Sequence, residues 1–390
     1  MPVAGKPVAG KPVAGIHLPG LAQTVIYGQP VEHVLADALA GARRVALVTN
    51  TSLVTGSDLP ARIEAVLGER SVARISGVRA HSPRSDVVRV TAGLRDANVD
   101  AVIGLGGGSV CDLVKTARLC LVNDIASIEA LDALRDPASI ERPASLRFVM
   151  LPTTLSAGEF TPLAGITDER IPGKELFRHP SLPPDTVILD PALTRFTPAR
   201  LWAGTGIRAV DHAIETWCSI DAGPYSDALS LHALRLLYPA LLRCARAPAD
   251  LQARGQCQSG AWLSIQGASR GVALGASHGI GHALGGVTGM PHGETSCVML
   301  PHVLRHNAQA DPSRQALLSA AMGRPDTSAG DLVAELVAQL GLPGRLRDAG
   351  VAREVLPQVA AEAIKDRWVA TNPRPFASSD EILALLEVAW

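Results

Sequence analysis

Ala101-Val102-Ile103-Gly104-Leu105-Gly106-Gly107-Gly108-Ser109 is an apolar run that ends in three glycines, and the stretch behind it, Val110–Leu121, has the length and pattern of a helix. A buried strand running through a glycine turn into a helix is one unit of a parallel α/β sheet. The same reading extends outward in both directions. Arg44–Asn50 (RVALVTN), Arg74–Val78, Phe148–Thr154 (FVMLPTT) and Thr186–Pro191 (TVILDP) are further short strand candidates with helix-length segments between them. Alternating strands and helices predict a parallel sheet covered by helices on both faces.

Beyond Pro191 the pattern changes. Thr197-Pro198 reads as an N-cap followed by a first-turn proline. Leu201–Cys218, Ser226–Cys244, Leu251–Ala268, Gln315–Met322, Ala329–Leu340, Val355–Ala363 and Asp380–Trp390 all read as helix, with no convincing strand. The expected organisation is an α/β dinucleotide-binding domain over 16–190 and an all-α domain over 191–390. The opening MPVAGKPVAGKPVAG, residues 1–15, is a Pro/Gly-rich repeat that cannot bury a core and is expected to be a mobile extension. A signal peptide is a poor reading of it, because Pro and Lys recur where the apolar segment would sit.

The chain has 390 residues, with 36 Lys+Arg against 37 Asp+Glu. So even a balance excludes the basic surplus that nucleic-acid and membrane-surface binders need. Six cysteines are scattered without a CxxC pair, which fits a reducing, cytoplasmic setting and excludes a zinc ribbon. No apolar run approaches the roughly 20 residues that a bilayer requires.

Three motifs carry chemistry. In Gly106-Gly107-Gly108-Ser109-Val110-Cys111-Asp112-Leu113-Val114-Lys115 the glycines admit a pyrophosphate close to the backbone, and the helix start offers free N–H groups and a positive dipole end. The spacing is neither GxGxxG nor a Walker loop. Leu151–Pro162 (LPTTLSAGEFTP) follows the next strand, at the sheet edge where doubly wound folds bind ligands, and Thr153, Thr154 and Ser156 offer hydroxyls there. The third motif is a group of histidines. His278 and His282 are four apart and share a helix face, His292 follows a GGVTGMP loop, and His212 sits in RAVDHAIE with Arg208 four residues before it. The glutamate of an HExxH zinc protease is replaced by Gly279, which rules that class out.

Taken in order, GGGSVCDLVK, LPTTLSAGEFTP, RAVDHAIE and SHGIGHALGGVTGMPHGE resemble the iron-containing alcohol dehydrogenase superfamily over nearly the whole chain. Within it, Glu159 and Thr161-Pro162 after the PTT loop, Leu182-Pro183-Pro184-Asp185 and Asn372-Pro373-Arg374-Pro375 are most similar to maleylacetate reductases. The resemblance implies a dehydroquinate synthase-like fold, a homodimer, and NADH or NADPH lying across the sheet edge. Its pyrophosphate would rest on Gly106–Ser109, with Asp112 and Lys115 in the same motif and Thr153 and Thr154 lining the ribose and nicotinamide side. Asn50 would meet the adenosine ribose; being neutral, it leaves the choice of NADH or NADPH open.

Metal-dependent members bind Fe²⁺ or Zn²⁺ through one Asp and three His. The histidines match His212, His278 and His292, but the acid's position holds Arg208. A guanidinium cannot ligate a divalent ion and repels one. Asp211 points about 100° away from His212 on a helix and is a poor replacement. Arg208 therefore favours a metal-free site, with Fe²⁺ or Zn²⁺ on the three histidines as the alternative. The substrate implied is the dicarboxylate maleylacetate, reduced at its C=C bond. Arg208, His212, His278 and His292 would steady the enolate oxygen, and His282 would donate a proton. Arg208, Arg178 and Lys174 are candidate carboxylate partners. The competing readings are a surface salt bridge from Arg208 to Asp211 or Glu215, a metal-dependent alcohol or aldehyde dehydrogenase, a lyase on the same scaffold, and a non-catalytic nucleotide binder. His302 and His306 read as structural.

Overall fold

The computed structural model describes residues 22–171 and 174–390. The expected extension over 1–15 lies outside the described residues. Strands β1 (Thr24–Tyr27), β2 (Val45–Thr49), β3 (Ser71–Ile75), β4 (Ala101–Gly106), β5 (Arg147–Pro152), β6 (Leu163–Thr167), β7 (Lys174–Arg178) and β8 (Thr186–Leu189) form a six-stranded sheet of order β1-β8-β5-β4-β2-β3 and a separate β6-β7 hairpin. All pairings in the large sheet are parallel. Helices α1 (Val31–Ala38), α2 (Thr51–Gly56), α3 (Leu59–Leu67), α4 (Arg84–Asp96) and α5 (Gly108–Val122) connect the strands. β2, β4 and β8 are buried at every position, as a parallel sheet covered on both faces requires. On one face Val31, Leu35, Leu59 and Ile63 of α1 and α3 pack on Leu47, Ile103, Leu105, Val149 and Ile188.

The rest is helical: α6 (Ala199–Cys218), α7 (Pro224–Arg246), α8 (Leu251–Ser264), α9 (Gln266–Ser269), α10 (Ala276–Thr288), α11 (His292–Asn307), α12 (Pro312–Ala321), α13 (Ala329–Gln339), α14 (Leu356–Ala363), α15 (Arg367–Ala370) and α16 (Ser379–Ala389). Ile280 and Leu284 of α10, Val298 and Met299 of α11, Leu356 and Val359 of α14, and Ile382 and Leu386 of α16 share one core. Among the described residues no helix is long and apolar enough to cross a membrane.

The chain packs as two compact units, with the break in the chain falling after Gly206, inside α6. Arg246–Ser259 belongs with the α/β unit. The reason is visible at α8. Arg254 donates to the carbonyl and hydroxyl of Thr194, at 2.9 and 3.0 Å, and Gln258 reaches the Asp190 carbonyl. The expected Thr197 cap is also corrected. Its hydroxyl donates to the Thr153 carbonyl at 2.6 Å, and the first turn of α6 bonds back to the Pro198 carbonyl.

Candidate active site

In the α/β unit, β2 and β3 run outward in one direction from the sheet centre and β4, β5 and β8 in the other. The carboxyl ends of β2 and β4 thus flank a topological switch point, the place where open α/β sheets bind ligands. Asn50 follows β2 there and the glycine loop follows β4. Gly106 has φ +155°, and a Cβ on it would come within 2.6 Å of Val110. A Cβ on Gly107 would come within 2.8 Å of Thr154 Cγ2. The LPTT segment is therefore packed onto the glycine turn, and the Thr153 N–H bonds the Gly106 carbonyl at 2.9 Å. Gly107, the N-cap of α5, supplies no side chain to cap the helix. His81 and Ser82 take left-handed backbone conformations beside it, and the Ser82 hydroxyl bonds the Ser109 carbonyl at 2.8 Å.

Several expected cofactor residues make structural contacts. Lys115 is fully buried and spends its ammonium on the carbonyls of Gly158, Thr161 and Leu163 at 2.6, 2.9 and 2.8 Å, which corrects its expected place beside a phosphate. Asp112 accepts the Gly165 N–H and so ties α5 to β6. Asn50 caps α2 through the Leu53 N–H. Glu159 is buried next to this loop, and desolvation pushes its carboxyl up to about 7. Arg178 ends β7 exposed, and the Lys174 side chain lies outside the described residues.

In the helical unit the five expected catalytic residues come together. The His212 and His278 rings lie 5.0 Å apart, and those of His282 and His292 lie 6.1 Å apart. Arg208 points inward, with its side chain 13% exposed. Its Nη1 donates to Ser296 Oγ at 3.0 Å and lies 3.5 Å from Asp211 Oδ2. The pair with Asp211 is real but buried inside the cluster. Ser296 and Ser277 both donate to Asp211 Oδ2, at 2.5 and 3.0 Å.

Sequence reading set Asp211 aside as a ligand and gave Asp211 and Glu215 only as salt-bridge partners of Arg208, not as members of the cluster. Both lie on the Arg208 face of α6 at spacings of three and seven residues, which was the available signal. Asp211 Oδ2 is 3.4 Å and Glu215 Oε2 is 2.7 Å from His278 Nδ1. Glu215 also accepts the N–H groups of Gly275, Ser277 and His278, and Asn372 accepts that of Ala276. The start of α10 is thereby satisfied by protein groups, which fixes where His278 stands. Asp366 and Trp368 were also missed, because they come from the far C-terminal segment and carry no local signal, and Asn372 was read only as part of the Asn372-Pro373-Arg374-Pro375 resemblance, without a place in the cluster.

The charges follow from these contacts. Burial presses the His278 pKa down and Arg208 adds to that, but Asp211 and Glu215 outweigh both and leave it above the ordinary value. Burial raises Asp211, yet His278 and Arg208 bring it below the usual carboxylate range. His212 falls well below its ordinary value through burial, then through His278 and Arg208, and is a neutral ring. Burial lowers Arg208, with Asp211 and Glu215 opposing.

A four-ligand divalent site does not fit these residues. Its acid position holds a guanidinium engaged with Ser296 and Asp211. Asp211 and Glu215 face the Nδ1 side of His278, and Glu215 is already taken up by three backbone N–H groups. Among the described residues, the buried atoms His278 Nε2 and His212 Nδ1 have no hydrogen-bond partner, so they remain available to a bound molecule.

Comparison with known proteins agrees with this architecture. A family model described as iron-containing alcohol dehydrogenase matches residues 22–191, and one described as the C-terminal part of the Fe-containing alcohol dehydrogenase family matches 202–390. Dehydrogenase ALT3 of Alternaria alternata is 32% identical over 90% of this chain and 99% of its own length. A maleylacetate reductase of Sphingobium indicum is 30% identical over 95% of this chain and 96% of its own. The crystal structure of maleylacetate reductase from Agrobacterium tumefaciens superposes with a TM-score of 0.81 at 26% identity, covering 96% of this chain and 97% of that one.

Proposed function

Because the chain belongs to the iron-containing alcohol dehydrogenase family and is an oxidoreductase of it, we propose that it is a metal-independent NAD(P)H-dependent reductase of maleylacetate-type substrates in aromatic catabolism. The observation that carries this reading is the buried Arg208 guanidinium at the acid position of metal-binding members, held by Ser296 and Asp211 beside His278. Maleylacetate holds a C=C bond conjugated to a ketone. A bound nicotinamide would supply hydride to the alkene carbon, and the electron pair of the C=C bond would then move onto the ketone oxygen as an enolate. Arg208 and His278 meet that negative charge, as a metal would in the relatives that bind one. A proton from His282 then reaches the adjacent carbon, giving 3-oxoadipate. The nucleotide's phosphates rest on the α5 start and the Gly106–Gly108 turn.

The test is anaerobic oxidation of NADH and of NADPH with maleylacetate against a panel of aldehydes, with and without chelator. The expected result is preference for maleylacetate and indifference to chelation. Preference for aldehydes, lost on chelation and restored by Fe²⁺ or Zn²⁺, would move the chain to the metal-dependent alcohol or aldehyde dehydrogenases.

A further inference from the structure

His282 stands one turn after His278 on α10, and its partner is 84 residues away. Its Nδ1 lies 2.9 Å from Oδ2 of Asp366. The other oxygen of that carboxylate accepts the Trp368 N–H at 2.8 Å, as the N-cap of α15. Asp366 is therefore held at both oxygens. Trp368 lies against the His282 ring with centroids 4.8 Å apart and meets His278 edge-on at 5.7 Å. Gly279 makes the approach possible. A Cβ there would come within 2.7 Å of Val369 Cγ2 and 3.1 Å of Asp366 Oδ1.

A carboxylate only accepts hydrogen bonds, so the proton of a neutral His282 ring sits on Nδ1 and the lone pair on Nε2. The other carboxylate–histidine pair of the cluster, Glu215 with His278, is closed to solvent, with the His278 side chain 0% exposed. The His282 side chain is 38% exposed, so water can return a proton to it after each turnover.

We propose that Asp366 is a positioning residue that holds His282 as the Nδ1–H tautomer, so that Nε2 is the atom that hands over the proton. The proposal rests on the reductase reading. Hydride arrives from the nucleotide. The Nε2 proton of the imidazolium passes to the substrate, and the ring returns to its neutral Nδ1–H form. Solvent then protonates Nε2 again, and the Asp366 carboxylate stabilises the imidazolium between these events.

Asp366→Ser is the informative variant, because serine still caps α15 but no longer reaches His282. We expect kcat for enone reduction to fall about 10²-fold, with KM and the thermal midpoint unchanged. The solvent deuterium isotope effect on kcat should rise, and Asp366→Ser added to His282→Gln should cost nothing further. Asp366→Asn, which keeps both volume and cap, is the second variant and should fall in the same direction. A purely structural role would move the midpoint and leave the isotope effect alone. Histidine ¹⁵N spectra give the tautomer without turnover, with Nδ1–H expected in wild type and lost in Asp366→Ser. An Nε2–H tautomer in wild type, or a wild-type kcat and isotope effect in Asp366→Ser, overturns the proposal. A wild type with the Nδ1–H tautomer but no turnover of any carbonyl or enone with NADH or NADPH supports the Asp366–His282 pairing and tells against the reductase reading.

Discussion

On the proposed reading, Arg208 is the residue on which the chemistry turns. A buried guanidinium flanked by Asp211 and aimed into a histidine cluster is costly to desolvate and is tolerated where its charge is used. Arg208→Ala should lower kcat about 10²- to 10³-fold, the scale of losing one oxyanion donor, with nucleotide binding unchanged by fluorescence titration. Arg208→Asp restores the acid of the metal-binding relatives. It should acquire a stoichiometric Fe²⁺ or Zn²⁺ site, seen by calorimetry, that wild type lacks. Glu159 supplies a pH prediction of a different kind. Its folded pKa, about 7, stands above the ordinary 4.5, so the folded state holds a proton that the unfolded chain has lost. The stability this contributes is complete below about 4.5 and drains away by about 1.4 kcal/mol per pH unit up to about 7. Glu159→Gln should flatten that part of the curve in denaturant titrations against pH.

At the scale of elements, two helix starts are used in opposite ways. The start of α10 is filled by Glu215 and Asn372, whereas that of α5 has no side-chain cap and faces the glycine turn. Glu215→Ala should cost about 3 kcal/mol in chemical denaturation, because it orphans buried N–H groups and frees His278. Gly107→Ala drives a methyl into Thr154. It should abolish the rise of about 5 °C in thermal midpoint expected of wild type with NADH at a hundred times its Kd. Five sheet strands were legible because their runs are short, apolar and closed by turns. β3 was read three residues late, since Gly77, with φ +82°, and Val78 follow the strand and do not belong to it. β1 was missed as a four-residue edge strand, and the β6-β7 hairpin because KELFR is mostly polar. His278 and His282 could be read from their spacing, and His212 and His292 through the family resemblance. Asp366 and Asn372 could not, because only the folded chain brings them to α10.

For the whole molecule, the division after Gly206 leaves the glycine turn and the histidine cluster on separate compact units. The family match over both parts explains why four motifs, scattered across the sequence, identified the fold together. What the family does not fix is whether this member works with a metal, and Arg208 is the departure on which the proposed metal-free reading rests. The most direct measurement is the turnover of maleylacetate with NADH by protein stripped to trace metal content, assayed before and after addition of Fe²⁺ or Zn²⁺. Full activity in the stripped protein, unchanged by either ion, is the predicted result. Activity that is absent until an ion is added, and that scales with the ion bound, would contradict it.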